Sequence, residues 1–518
     1  MRITNNMIMS NTKININGNK TSLDTLNNQM SSQKKISSPA DDPVVAIRAL
    51  RLRSNLSQIN QYYEKNIPDA ESWLEVTETA LTNMKKILTT IHTKCDEGAN
   101  GTLTEEDRNT ILKQLKSLSS QIYSEGNADY AGRTVFTGYK TDKTLTFEND
   151  MKDAHYDIYE YLNASDIEEF TYTYGAVKTP TAADVAAQTA PGKPEDVTLY
   201  RLCLAYDKID GLRGEGPDAT NPSRELAWYS SNGNGKVQFS TVTTKELEDS
   251  QYAIGDSEVV FNKDTGEFLM GKTIASTLSS CNAVIPVNYE KTGFEKGEIR
   301  PEHYFDCYDY TDPLNQIKYT NYENGALAEN VDYESAVRTN QDIEYIVAAN
   351  QTLTVNTQAN DVFDSSIARD VDDLIFAVQN SINAHDTVTA IEDMLKQERY
   401  ASKEDQQYLN SCLEAAKKQM DYADNNLQNL FSRSLTKFSG YMADVNIAIT
   451  DVGNKAEQLA ITKNRMSNQQ ATVESLKSDN EDRDLSDIVI DYTSSYLAYQ
   501  ASLQAAAKIE RQTLLDYL

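Results

Sequence analysis

The chain has 518 residues, 39% of them hydrophobic, and a formal charge of −29 from 49 Lys and Arg against 78 Asp and Glu. So large an acid excess excludes nucleic acid as partner, because binding a phosphate backbone takes clustered Lys and Arg. The modest apolar share favours an elongated, solvent-rich architecture over one thick core. No apolar run approaches the ~18 residues needed to cross a bilayer, so membrane insertion is not expected.

The charge is uneven. Residues 1–144 carry a net +2 and residues 390–518 a net −6, whereas residues 145–389 carry −25, so ends and middle are different objects. Cys95, Cys203, Cys281, Cys307 and Cys412 are scattered without a CxxC pair, which argues against a disulfide framework or a zinc site. The start, MRITNNMIMSNTKININGNK, lacks a basic segment followed by an apolar one; no conventional signal peptide is expected, and export without a cleaved signal stays open.

Residues 1–30 show a weak helical pattern. From Leu52 the apolar spacing becomes regular, through Leu56, Ile59, Tyr63, Ile67, Ala70, Leu74, Thr77, Leu81, Met84, Leu88 and Ile91. Steps of four and three predict a long helix, with a kink or short break where Pro68 adjoins one extra step of four. A second helix is expected from a Thr104 cap, with Glu105, Glu106 and Asp107 in its first turn and Ile111, Leu115, Leu118 and Ile122 on its buried stripe. RTVFTGYKTDKTLTF then reads as a hairpin over 133–147, turning at Thr-Asp-Lys.

From about 145 to 360, strand-like stretches such as KVQFST, SEVVFNKDTGEFLMG and TLTVNTQ alternate with Gly, Pro, Asn and Asp turns. Helices are expected again over 371–383 and 387–397. A long heptad pattern then runs from Leu409 to Leu459, and the polar run SDNEDRD (478–484) separates it from a last helix. The fold class expected is α+β: long helices from both chain ends form a coiled-coil or helical-bundle rod, and a β-rich insertion of one or two modules fills the middle.

The last helix carries a seam at Leu485, Val489, Tyr492, Tyr496, Tyr499, Leu503 and Ala506, with Leu514 beyond it. Burying such residues stabilises by about 2 kcal/mol each, while ordering the backbone costs about 1 kcal/mol or more for every residue fixed. A single helix docked on its own chain is therefore marginal. Both ends are expected to be assembly surfaces that order against neighbouring molecules.

Few motifs carry chemistry. Gly266–Thr273 (GEFLMGKT) fits the GxxxxGK[ST] phosphate loop, but its acidic and bulky interior and the upstream Asp-Thr-Gly favour a hairpin. Asp306, Asp309 and Asp312 lack the alternate ligands and Gly of a calcium loop. His92, His155, His303 and His385 are far apart, with no HExxH pair. No catalytic residue, cofactor or metal ligand is assigned, and no enzyme is expected.

Two stretches carry a resemblance. SSPADDPVVA contributes Pro39, Asp41, Asp42 and Pro43, and GRTVFTGYKT contributes Gly132, Arg133, Phe136, Gly138, Tyr139, Lys140 and Thr141. With NEDRDLSDIVIDY and the TLLDYL ending, these make the chain resemble the flagellin family, and within it the subunits that join hook to filament. The resemblance spans roughly 1–145 and 385–518. It implies a structural flagellar subunit, extracellular at the hook–filament junction and exported by the flagellar type III system. Its implied partners are further copies of itself in a ring, a neighbouring hook-associated protein, flagellin and an export chaperone.

On this reading residues 1–44 and 478–518 are terminal assembly arms, 45–144 and 387–477 the helical rod, and 145–386 an acidic, outward-facing variable region. A filament flagellin is the alternative. A nucleotide- or ligand-binding protein on the same scaffold is the other.

Overall fold

The computed structural model describes residues 5–100, 103–213, 225–231 and 233–511. Four helices come first: α1 (Asn5–Ser32), α2 (Pro43–Gln61), α3 (Ile67–Ala99) and α4 (Glu105–Ile122). Between α2 and α3 lies a single π-helical turn, Tyr62–Asn66. It precedes Pro68, whose ring cannot donate into the helical ladder, and so takes up the expected irregularity. The heptad positions from Leu56 onward are buried almost throughout, with Ile67, Leu81, Met84, Leu88 and Ile91 fully so. Thr104 caps α4 through a reciprocal box with Asp107, as expected.

The strands are β1 (Asp129–Tyr130), β2 (Arg133–Thr134), β3 (Met151–Asn163), β4 (Glu168–Tyr174), β5 (Glu195–Cys203), β6 (Gly211–Arg213), β7 (Glu225–Trp228), β8 (Gly235–Val242), β9 (Val259–Asn262), β10 (Glu267–Met270), β11 (Val284–Phe294), β12 (Asp306–Asp309), β13 (Ile317–Tyr319), β14 (Tyr322–Glu323), β15 (Val337–Arg338), β16 (Glu344–Ala348) and β17 (Gln351–Thr354). Short helices α5 (Ala182–Ala187), α6 (Thr244–Asp249), α7 (Lys272–Cys281) and α8 (Pro301–Tyr304) punctuate them. The chain closes with α9 (Ser366–Leu395), α10 (Lys403–Glu481) and α11 (Leu485–Arg511). α9 is one helix across the interval where two are expected from the sequence.

The fold is α+β. Its chain forms two compact units, one from residues 5–71, 345–353 and 456–511, the other from 72–344 and 354–455. In the first, α1 and α11 pair, α2 packs on the last part of α10 through Leu56, Ile59 and Val473, and most of the β16–β17 hairpin completes it. In the second, α4 lies against α9, and two sheets form the β-rich part. A five-stranded antiparallel sheet has the order β13-β12-β3-β11-β6. A six-stranded sheet has the order β4-β5-β10-β9-β8-β7 and is antiparallel except where β8 meets β9.

The expected 133–147 hairpin is placed differently. β2 pairs with the preceding β1 around Ala131 and Gly132, both with positive φ, the geometry of a two-residue type I′ turn. Residues near 147 pair instead with the segment before α8, through the Thr146–Ile299 bridge. Gly132 is what lets the chain turn two residues after Tyr130, earlier than Thr-Asp-Lys.

Candidate assembly surface

The Pro-flanked turn starts a helix. Asp42 is the N-cap of α2, its carboxylate accepting from the amides of Val44 at 2.9 Å and Val45 at 3.2 Å, with Pro43 in the first turn. Asp41 turns back and accepts from the amides of Ser37 and Ser38, both at 2.8 Å. Those amides, that of Ser38 foremost, hold its carboxyl below the usual range. Pro39 and Asp41 are exposed. Two adjacent acids thus do two jobs: one fixes the loop, the other begins the helix.

The second motif is a plug and a set of anchors. Phe136 is buried edge-on against Phe363 with ring centroids 5.0 Å apart. Arg133 lies over the Trp73 ring. Lys140 donates to the Glu302 carbonyl and the Asn321 side chain, each at 2.7 Å. The Thr141 carbonyl accepts from the Thr134 amide, and Gly138 sits at φ +60°. Tyr139 is exposed and donates to the Asp342 carbonyl.

At the terminal pair, α1 and α11 run antiparallel, with Lys34 bridging Asp482 at one end and Asn19 donating to Ser502 further along at 2.8 Å. α1 turns Thr12, Ile16, Asn19, Leu23, Leu26 and Met30 inward, alternating steps of four and three. α11 answers with Ile488, Tyr492, Ser495, Tyr499, Ser502 and Ala506. Ile488 is wholly buried.

The expected seam is therefore split. Tyr492, Tyr499 and Ala506 are half-buried on the α1 side, whereas Leu485, Val489, Tyr496 and Leu503 stay 42–45% exposed in a stripe beside it. Leu514 lies outside the described residues. The sequence reading missed Ile488, Ser495 and Ser502, because a seam chosen by large apolar residues passes over serines. Small polar residues permit the close, partly polar contact that Asn19 and Ser502 make. Further apolar side chains stand open on α1 and α2, among them Met9, Ile14, Val44, Ile47 and Leu50.

A joint holds the arm to the rod, and it too was missed. Glu481, 4% exposed in its side chain, accepts both arms of the Arg53 guanidinium and lies 3.7 Å from Lys34. The Arg53 hydrogen bond, foremost, keeps the Glu481 carboxyl below its ordinary range. Lys34 also pairs with Asp482, and Lys35 and Arg483 exchange backbone bonds with Glu481 and Gln33. The charged run NEDRD signals this joint only by its polarity; its partners are more than 400 residues away.

The phosphate-loop match is a hairpin. Glu267–Met270 is an inner strand bonded to β5 and β9, and the amides of Gly266, Gly271 and Thr273 bond to Asn262, Glu258 and Asp256 carbonyls. Those amides are committed and cannot cradle a phosphate. Asp306 accepts from the Asn321 and Tyr322 amides and Tyr161, while Asp309 and Asp312 each cap their own turn. Among the described residues no three metal-ligating side chains converge, and no helix is long and apolar enough to cross a membrane.

Residues 3–141 match the bacterial flagellin N-terminal helical region. The chain is flagellin-like. It is 29% identical over 143 residues to flagellar hook-associated protein 3 of Salmonella typhimurium, covering 27% of this chain and 45% of that protein. It is 25% identical over 329 residues to phase 2 flagellin of Salmonella abortus-equi, covering 56% of this chain and 64% of that one. The chain thus spans less than two thirds of either relative. A solved structure of a putative flagellar hook-associated protein from Vibrio parahaemolyticus aligns over 85% of this chain and 100% of its own, at 16% identity and a TM-score of 0.31. These flagellar families are structural proteins.

Proposed function

We propose that this flagellin-like chain is a structural subunit of the hook–filament junction of the bacterial flagellum, assembling through its terminal helices. The observation that carries the reading is the open stripe of Leu485, Val489, Tyr496 and Leu503 beside the α1–α11 seam. Covering it would stabilise by about 1 kcal/mol per side chain, in water too little for one contact and enough when many copies pack together. The arms, residues 1–44 and 478–518, meet neighbouring copies in a ring, a hook-associated protein on one side and flagellin on the other. The acidic region 145–386 faces outward. Delivery is by the flagellar export system with a chaperone, without a cleaved signal, and the role is mechanical rather than catalytic.

A filament subunit is the second reading, favoured by the flagellin alignment, which covers more of this chain than the hook-associated one. Immunogold labelling of intact flagella with antibody against residues 145–389 separates them. A single band where hook meets filament supports the junction; label along the filament makes the chain a flagellin. No label on the flagellum at all overturns both.

A further inference from the structure

Between the two sheets of the β-rich part lies a cleft of about 430 Å³ that the assembly reading leaves unused. That volume is in the range of small-molecule sites. Its wall is tyrosine. Tyr159 and Tyr161 come from β3, Tyr308 from β12 and Tyr333 from the loop before β15. Tyr159 and Tyr308 meet edge-on at 6.5 Å, and Tyr161 and Tyr333 are tilted at 6.1 Å, so two aromatic pairs flank the space. The loop is held over it by the Ala326 amide, which donates to the Tyr161 hydroxyl at 2.7 Å.

The floor is polar and incompletely satisfied. Asn288 on β11 stands opposite Tyr159 on one side and Arg213 on the other. Its side-chain oxygen is buried without a hydrogen-bond donor. Asp157 shares the face of β3 with Tyr159 and Tyr161 but is buried behind the lining, where it holds Arg213. A buried acceptor without a donor is costly, so the Asn288 oxygen in the lining of the cleft calls for a ligand that brings a hydroxyl.

The charges limit which ligand. Arg213 is spanned by Asp157 at 3.3 Å and Glu290 at 2.8 Å, and Lys318 donates to the Leu327 carbonyl at 2.8 Å. Among the described residues the Arg213 charge is answered by two carboxylates, and Glu225 adds an acid to the lining, which disfavours an anionic ligand. Phe239 and Phe268 close the far side with apolar surface. Ring faces for stacking, a planar acceptor for a hydroxyl and carboxylates around Arg213 match one chemistry: a ring with an apolar face and a hydroxylated rim.

We propose that this cleft binds a neutral saccharide, one or two pyranose rings stacked on the tyrosines with a hydroxyl donated to Asn288. The site stands whichever flagellar position the chain occupies.

The test uses the full chain with methyl glycosides of glucose, galactose, mannose and N-acetylglucosamine, the disaccharides maltose and lactose, and methyl glucuronide as the anionic control. Binding is read by saturation-transfer NMR and calorimetry. At least one neutral sugar should bind with a Kd of about 1 mM or tighter. Methyl glucuronide should bind at least tenfold more weakly, and Asn288→Ala should lose at least tenfold with an unchanged melting temperature. Should Asn288→Ala unfold, Tyr308→Ala at its half-buried position reads the same wall. Failure of every neutral sugar to bind overturns the proposal. So does undiminished binding by a folded variant, or saturation by indole that no sugar displaces.

Discussion

Arg53 lays its guanidinium along Glu481, Nε to Oε1 at 2.7 Å and Nη2 to Oε2 at 2.6 Å, and so ties the helix after the Pro-flanked turn to the last turn of α10. A bidentate fork fixes direction as well as distance. It sits where both terminal helices leave the rod, so it sets where the arm begins.

Removing Arg53 leaves a nearly buried carboxylate without its fork. Arg53→Ala should cost about 1–2 kcal/mol, the lower part of the range for charged hydrogen bonds because Arg53 itself is half exposed. Arg53→Lys should restore little, since an ammonium cannot span both oxygens. Urea titration followed by circular dichroism measures both. Because the Glu481 carboxyl is held below its ordinary value, the contribution is present above pH 4.5 and is lost as pH falls through the lowered value.

The stripe and the seam on α11 should separate in function. Leu503→Asp and Tyr496→Asp fall on exposed positions and should leave monomer stability within about 0.5 kcal/mol while abolishing incorporation into flagella. Ile488→Ala should instead destabilise the α1–α11 pair by about 2–4 kcal/mol, because its side chain is wholly buried. Melting of the purified monomer together with sedimentation of assembled flagella distinguishes the two. Normal incorporation of Leu503→Asp would refute the proposed assembly surface.

Asp42→Ala should cost about 1 kcal/mol as the loss of an N-cap. Asp42→Asn should restore most of it, because the amide oxygen can accept from Val44 and Val45 in the same way. The shift of the urea midpoint at constant slope reads this directly.

Glu160 is buried on β3, where desolvation pushes its carboxyl up to about 7 against the pull of the Tyr289 hydroxyl and the Ala205 amide. A folded carboxyl raised above its unfolded value favours the native state at low pH, and that contribution is lost as pH rises through about 7. Wild type should therefore gain stability relative to Glu160→Gln between pH 8 and pH 5, by no more than about 3 kcal/mol. Parallel melting curves of the two proteins at those pH values check it; a difference that does not change with pH would show that Glu160 carries no such linkage.

The helices were legible wherever burial repeats along one chain segment. Leu56 to Ile91 and Leu409 to Leu459 carry a heptad period, and Thr104 carries a local cap; each signal lies within a turn or two of the structure it dictates. The strand-rich texture of the middle and the hairpin at Gly266 were legible for the same reason. The turn near Gly132 was misplaced because Ala131 takes positive φ, which an Ala in sequence does not announce.

By itself, then, the sequence determined the period of the rods, the start of α4, the concentration of acidity in the middle and the presence of an apolar face on the last helix. Only the tertiary structure decided which part of that face is spent within the chain and which is left open. That choice depends on the rotation of α11 against α1, set by Ile488 and by the Asn19–Ser502 bond, and on Glu481 meeting an arginine from the other end of the chain. The same holds for the tyrosine cleft, whose walls come from β3, β12 and the loop at Tyr333. Periodicity is written along one helix or strand, whereas rotation, ion pairing and cavities arise from the meeting of segments hundreds of residues apart.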